Sequence, residues 1–426
     1  MKNLKKRKPF PFRFLLNRIL SSKRSSFNRE EMKKKMKKLK KVESFCWFNL
    51  LPEELTLNIF SRLPIKSLMK SKCVCKTWNS SISNPHFINQ HLSRSPFIGN
   101  PFIIFSTTDF IIDDNPNYPK PKLSIRRNFH FVEDIGGENE EVKPLALDPV
   151  LTYLDIVGSV NGLLCFGGTS CNGDLITVYV FNPFTGESTQ LPTLSSIPFE
   201  SKHTLFGFGF DSDRGEYKVL RLIFHSMKEC LADCIVEAEV CTLGSNSWRR
   251  IGEAPFSPYG SEACVFANGM IHCVANSIDD GDDIGIGYFD VGTEELYFDS
   301  LFPEMLPVWD ENIDIGVLGG CLSVVNYSSL DFAEVWIYTD FFQKGENKEE
   351  AWTRLFQLPL DNVVSLNLMC LLKSGEILFL HNHEELVSRY PFGNDPRELG
   401  LHGMSETIHA YVHVGTLVSP IMPPQS

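Results

Sequence analysis

At 426 residues the chain is too long for one small hydrophobic core, and its 43% apolar and 12% aromatic content, with 33 Phe, supplies a large buried interior. The net charge of −11 averages two regions of opposite sign. Residues 1–41 hold 17 Lys and Arg against Glu30 and Glu31, whereas residues 97–426 hold 18 basic and 47 acidic side chains, a net of −29.

The chain opens on a basic arm, residues 1–47: Lys5-Lys6-Arg7-Lys8, a Ser-rich stretch at Ser21–Ser26, then Lys33–Lys41 with Met32, Met36 and Leu39 interspersed. Like-charge repulsion keeps such a segment loose unless an anionic partner binds it. Its apolar stretch Phe12–Leu20 is short and interrupted by Arg13, Asn17 and Arg18. Neither there nor beyond does any run approach the roughly 18 apolar residues a membrane span needs. A secretory signal fits poorly as well, because no apolar region with a small-residue cleavage pattern comes after the lysines. The expectation is a chain of the nucleus, the cytoplasm or both, with Lys5 to Lys8 as a candidate import signal and with neither a membrane nor a nucleic-acid partner.

From Leu50 a helical pattern runs for about 45 residues. Pro52 suits the first helical position, and Glu53 and Glu54 complement the positive end of the helix dipole. Leu51, Leu55 and Ile59 recur at four-residue spacing with Phe60 and Leu63 alongside, which gives one apolar face. Pro64 stops the first helix. A second segment carries Ile65, Leu68, Met69 and Cys73. A third carries Val74, Trp78 and Ile82 and is expected to end at Asn84-Pro85, with Phe87 folding back as a lid.

At Ser95-Pro96 the pattern changes to short apolar runs separated by Gly, Asn, Asp and Pro, the signature of strands. A repeat appears when the glycines before these runs are aligned: Asn161-Gly162, Arg214-Gly215, Asn268-Gly269, Gly319-Gly320 and Ser374-Gly375, with steps of 53, 54, 51 and 55 residues. Each is a hairpin signal ahead of the run expected to form the inner strand of a blade. A second signature, at Asn182–Glu187, Ser245–Trp248, Phe289–Glu294 and Glu350–Trp352, reads as a turn flanked by an aromatic that packs between neighbouring sheets. A period near 50 with four strands per unit predicts a kelch-like β-propeller. Five units are countable, and residues 97–160 with a C-terminal strand around Tyr411–Val418 leave room for one or two more. Pairing of the last strand with the first would hide the exposed edges.

The segments Leu51-Pro52-Glu53-Glu54-Leu55, Ile59–Leu68, Val74-Cys75-Lys76-Thr77-Trp78 and Ile82–Phe87 together resemble the plant F-box. The chain beyond these helical segments is similar to the F-box-associated interaction domain of plants, in the phrases Gly158–Cys165, Phe181–Glu187, Gly207–Asp211, Tyr217-Lys218-Val219 and Ser247-Trp248-Arg249. The resemblance spans about residues 48–420 and leaves out the basic arm. It implies a mainly β chain with a small α module: a three-helix F-box at 48–95 and then a kelch-like propeller at 97–420. It further implies a non-catalytic subunit of an E3 ubiquitin ligase that binds a Skp-type adaptor, and through it a cullin, and presents a protein target for ubiquitination and degradation. Carried across residue by residue, Leu51, Pro52, Leu55, Ile59, Leu63, Pro64, Leu68, Val74 and Trp78 form the Skp-binding set, some of them, Val74 and Trp78 foremost, serving instead to hold the helices together. A unit of about 45 residues is smaller than the roughly 60 at which an isolated core becomes adequate, which agrees with a need for a partner.

Signals for catalysis are weak. No Gly-rich phosphate loop, G-x-S-x-G elbow or H-E-x-x-H pair occurs. Twelve Cys show no C-x-x-C pair, so reduced structural thiols in a reducing compartment are expected, with no metal and no cofactor. His381/His383 and His409/His413 lack a third ligand nearby, and Asp279–Asp283 lacks the spaced ligands of a calcium loop. A propeller enzyme would leave the F-box unexplained, and a scaffold would use the F-box without ubiquitination. The acidic charge of the propeller suggests a target with a basic patch, with Glu138, Glu140, Glu141, Asp279, Asp280, Asp282, Asp283, Asp310, Glu311 and Asp314 as loop candidates.

Overall fold

The computed structural model describes residues 51–95, 100–113, 122–133, 135, 141–169, 175–195, 203–226, 234–258, 264–278, 284–300, 312–327, 329, 331–338, 352–359, 363, 365–390, 397–399 and 408–421. The chain divides into two compact units, Met1–Thr56 and Leu57–Ser426.

Four helices open the described chain: α1 Glu53–Phe60, α2 Ile65–Lys72, α3 Lys76–Ile82 and α4 Pro85–Leu92. The carbonyl of Pro52 accepts the first backbone bonds of α1, from Leu55 and Thr56 at 3.1 Å each. The expected three helices are therefore one too few. Asn84-Pro85 does end α3, but it also starts α4: the Asn84 side chain accepts the His86 N–H at 2.9 Å and Pro85 fills the first turn. An Asn before a Pro is both a stop and an N-cap signal, and here it acts as both. Phe87, expected as a lid, is a buried residue of α4.

In the second unit, Phe60, Ile65, Leu68, Ile82 and Phe87 form the buried apolar side of the helices. Phe60 meets Trp78 edge-on with ring centroids 4.8 Å apart. His91 donates from Nε2 to the Leu63 carbonyl at 3.0 Å, which ties α4 to the turn after α1.

The rest is a six-bladed propeller of antiparallel sheets. Blade I holds Phe102–Asp113, Lys122–Glu133 and Glu141–Pro144, completed by the C-terminal strand Ile408–His413. Blade II runs from Asp155–Val160 to Leu194–Ser195, blade III from His203–Asp211 to Arg249–Glu253, and blade IV from Phe256–Pro258 to Leu296–Asp299. Blade V runs from Ile313–Leu318 to Trp352–Pro359 and blade VI from Leu366–Leu371 to Arg397–Leu399. The count of six settles the one or two extra units left open by the repeat. The extra blade is the first, and it takes its innermost strand from the far end of the chain, with Phe102 opposite His413 and Thr107 opposite Ile408.

Every aligned glycine lies where a hairpin needs positive φ: 82° at Gly162, 70° at Gly215, 80° at Gly269, 90° at Gly320 and 88° at Gly375. The inner strand, however, precedes each glycine instead of coming after it. The strands Asp155–Val160, His203–Asp211, Val265–Ala267, Ile313–Leu318, Leu366–Leu371 and Ile408–His413 surround the central axis. They are less conspicuous in sequence because neighbouring blades crowd them and small residues are needed. A Cβ added at Gly316 would lie 2.6 Å from the Leu368 carbonyl of the next blade.

The core is distributed over the six seams between blades. Leu163, Val178, Phe208 and Tyr217 fill that between II and III, and Leu222, Val240, Ile271 and Phe289 that between III and IV. The seam between VI and I holds Leu378 and Leu380 with Ile103 and Phe105. The expected aromatic wedges are present: Trp248 of blade III donates to the Pro192 carbonyl of blade II at 2.8 Å, and Trp352 packs with Val274 and Ile286 across the IV–V seam.

Candidate interaction surfaces

The nine residues expected to hold a Skp-type adaptor occupy three kinds of environment. In the first unit Leu51 and Pro52 are half-buried and Leu55 is exposed. In the second, Pro64 is exposed, Val74 is 58% exposed, and Ile59, Leu63 and Trp78 are half-buried. Leu68 is fully buried, so its side chain offers no surface and works as packing under α2. Exposure of a β-branched apolar side chain such as Val74 loses the transfer free energy that burial would supply, and a partner can recover it.

The helices of the second unit pack on one end of the propeller. Ile65 is buried beside Gly415, where an added Cβ would fall 2.6 Å from Ile65 Cγ2. Lys66 pairs with Glu133 at the end of its blade I strand and lies 5.1 Å from the centroid of the Phe131 ring. This end of the propeller is the one at which the six inner strands finish. Blade II adds its turn there: the Asn182 carbonyl side chain accepts the Phe184 N–H at 2.8 Å, while its Nδ2 donates to the carbonyls of Thr416 and Val418 at 3.1 and 2.7 Å. The tail after the last strand is thus latched to the second blade.

Along the axis runs a cavity of about 690 Å³, lined by Asn161, Gly162 and Val414 toward the end where the inner strands finish and by His383 and His409 toward the other. Its walls are largely apolar, with Phe208, Phe266, Ile315 and Leu368 among them. A polar cluster from blades V and VI lies at the end where the inner strands begin. Asp314, expected in a loop, is instead the second residue of its inner strand and buried; the alternation that places it inward is not visible when a strand is crowded by a neighbour. Asn367 donates from Nδ2 to Asp314 Oδ2 at 3.1 Å. Burial raises the Asp314 carboxyl to a pKa of about 6, against the smaller opposing effect of Asn367 and of the Ile315 and Leu368 N–H groups. Burial, and then the Asp314 charge, pushes Tyr327 up to about 12.

The two histidine pairs separate. His413 is buried, bonds through Nδ1 with Ser159 Oγ at 3.1 Å and stacks on Phe184. His383 and His409 come together across blades VI and I, their centroids 6.1 Å apart. Among the described residues no group of three or more His, Cys, Asp or Glu is placed to hold a metal ion. The other acidic loop candidates lie outside the described residues, apart from Glu141 at the start of the third strand of blade I.

A small helical module joined to a six-bladed propeller is the architecture of F-box proteins with an associated propeller domain. The sequence pattern of the F-box associated beta propeller domain matches residues 140–392, and that of the F-box domain matches residues 48–90. The chain belongs to the F-box associated propeller family. In Arabidopsis thaliana it is similar to F-box protein At3g07870, 28% identical over 86% of this chain and 91% of that one. It is also similar to F-box/kelch-repeat protein At3g23880, at 25% over 87% and 96%, and to F-box protein CPR1, at 26% over 72% of each.

Proposed function

We propose that this protein is the target-recognition subunit of a Skp–cullin–F-box ubiquitin ligase, with no chemistry of its own. In this reading Leu51, Pro52, Leu55, Ile59, Leu63, Pro64, Val74 and Trp78 contact a Skp-type adaptor, Leu68 supports them from beneath, and a cullin joins through the adaptor. The propeller, whose blade period is kelch-like, holds the protein that is to be ubiquitinated and degraded. The observation that carries the reading is that the helices of the second unit pack on the end of the propeller where the inner strands finish, away from the opposite end.

The test is a pull-down of a Skp-type adaptor and cullin with the double variant Leu51→Ala/Pro52→Ala. Loss of both, with the propeller still folded and the target accumulating, supports the reading; wild-type capture rejects it. The protein works in the nucleus, the cytoplasm or both, and Lys5–Lys8, outside the described residues, serve import. A fluorescent fusion lacking residues 1–41 checks this: unchanged nuclear signal removes the import role.

A further inference from the structure

The polar cluster of the axial cavity has a chemical sense. Asp314 is 9% and Ser365 8% exposed, yet Ser365 Oγ and Asn367 Oδ1 have no hydrogen-bond partner among the described residues. Because the Asn367 amide gives its NH2 to Asp314, its orientation is set and the carbonyl oxygen is the end left over. A carboxylate, an amide oxygen and a hydroxyl therefore stand as acceptors at one end of a cavity whose described lining residues include no Lys or Arg. Buried acceptors of this kind are costly until donors reach them, and a buried carboxylate most of all until a cation does. Beside the cluster lie Ile315 and Leu368, which suit an alkyl chain.

We propose that this end of the cavity is a recognition pocket for a basic side chain, Lys or Arg, presented by the target protein, its charged head on Asp314, Asn367 and Ser365 and its stem along the apolar wall. The inference rests on the reading that a protein docks on the propeller. This end of the cavity lies away from the helices of the second unit, and the net −29 of residues 97–426 attracts a basic partner over a longer range. A protonated amine or guanidinium supplies several donors to three acceptors, which a neutral alcohol cannot do.

The experiment titrates the full chain by calorimetry with n-butylguanidinium, n-butylammonium, n-butanol and butyrate, and with the capped amides of lysine and arginine. One-to-one binding of the cations and of at least one capped amide is expected, with neither the alcohol nor the acid binding. Asp314→Asn should weaken the cations about ten- to a hundredfold, and Ser365→Ala by less. Equal binding of n-butanol, or full cation affinity in Asp314→Asn, overturns the pocket. Binding of free cations with rejection of both capped amides overturns the protein source and leaves a free amine as ligand. The same Asp314→Asn chain should still capture a Skp-type adaptor, so loss of the pocket and loss of the adaptor reading are distinguishable.

Discussion

Phe102 and His413, 311 positions apart in the chain, sit opposite each other as the paired ends of the strands that close the propeller. Closure stacks His413 on Phe184 of blade II, so one histidine links the first blade, the last strand and the second blade.

Removing the closing strand should be severe. A chain ending at residue 407 leaves Phe102–Thr107 as an unpaired edge and strips Ile104 and Phe105 of cover on the axial side. Soluble monomer on size-exclusion chromatography should fall sharply in favour of aggregate. A monomeric truncation with the parent's melting temperature would show that the seam contributes little.

Much of this ring could be read in the sequence, because hairpin glycines repeat: Gly162, Gly215, Gly269, Gly320 and Gly375 need positive φ whatever surrounds them. The aromatic wedges Trp248 and Trp352 stood out for the same local reason. What could not be read depends on neighbours distant in sequence. The inner strands carry small residues such as Gly158 and Gly316, where an adjacent blade presses in, so the more apolar second strands looked like the centre. Of the polar cluster the sequence shows only one acid in a loop-like context, because Asp314 gains its meaning from Asn367 and Ser365 of the next blade. The fourth helix was hidden by a pair, Asn84-Pro85, whose stop and start meanings coincide.

Acid should unfold the protein through its buried histidines. Burial lowers His413 to about 3 and His272 to about 4, against 6.5 when free. Their folded pKa values are depressed, so this stability is complete above pH 6.5 and is lost as pH falls toward 4 and below. Asp314 works in the opposite sense: its pKa is raised to about 6, so its contribution is fullest below the unfolded value near 4 and is lost as pH rises through 6. At pH 5 each histidine costs about 2 kcal/mol and the carboxyl returns about 1, so the net is a loss. Urea midpoints should drop between pH 7 and pH 5, and a His413→Gln chain should show a shallower drop. An unchanged pH slope in that variant would remove His413 from the account.

Asp314→Asn should raise stability at pH 7, because it removes a buried charge that no Lys or Arg among the described residues lining the cavity offsets. Taking about 2 pH units between free and folded values, the gain is on the order of 1–3 kcal/mol at neutral pH and vanishes near pH 4. Melting temperatures of the two chains at pH 7.5 and pH 4 give the comparison. A destabilised variant at pH 7.5 would mean that Asn367 and the Ile315 and Leu368 N–H groups hold the carboxylate strongly enough to outweigh its burial.

Leu68 and Val74 separate packing from partner binding within the F-box. Leu68 is fully buried, so Leu68→Ala should cost about 2–5 kcal/mol of helical-module stability, read as a lower melting transition or faster proteolysis between residues 57 and 95. Val74 is 58% exposed, so Val74→Asp should leave folding within about 0.5 kcal/mol of the parent. If Val74 is covered by a Skp-type adaptor, the same change places a carboxylate without a partner in an apolar contact. A loss of about 2 kcal/mol, a modest figure for such burial, corresponds to about a thirtyfold drop in affinity. The measurement is adaptor affinity by surface plasmon resonance beside thermal stability for each chain. Wild-type affinity with Val74→Asp would take Val74 out of the contact surface, and if Leu51→Ala/Pro52→Ala also bound normally, the adaptor would have to use another face of the chain.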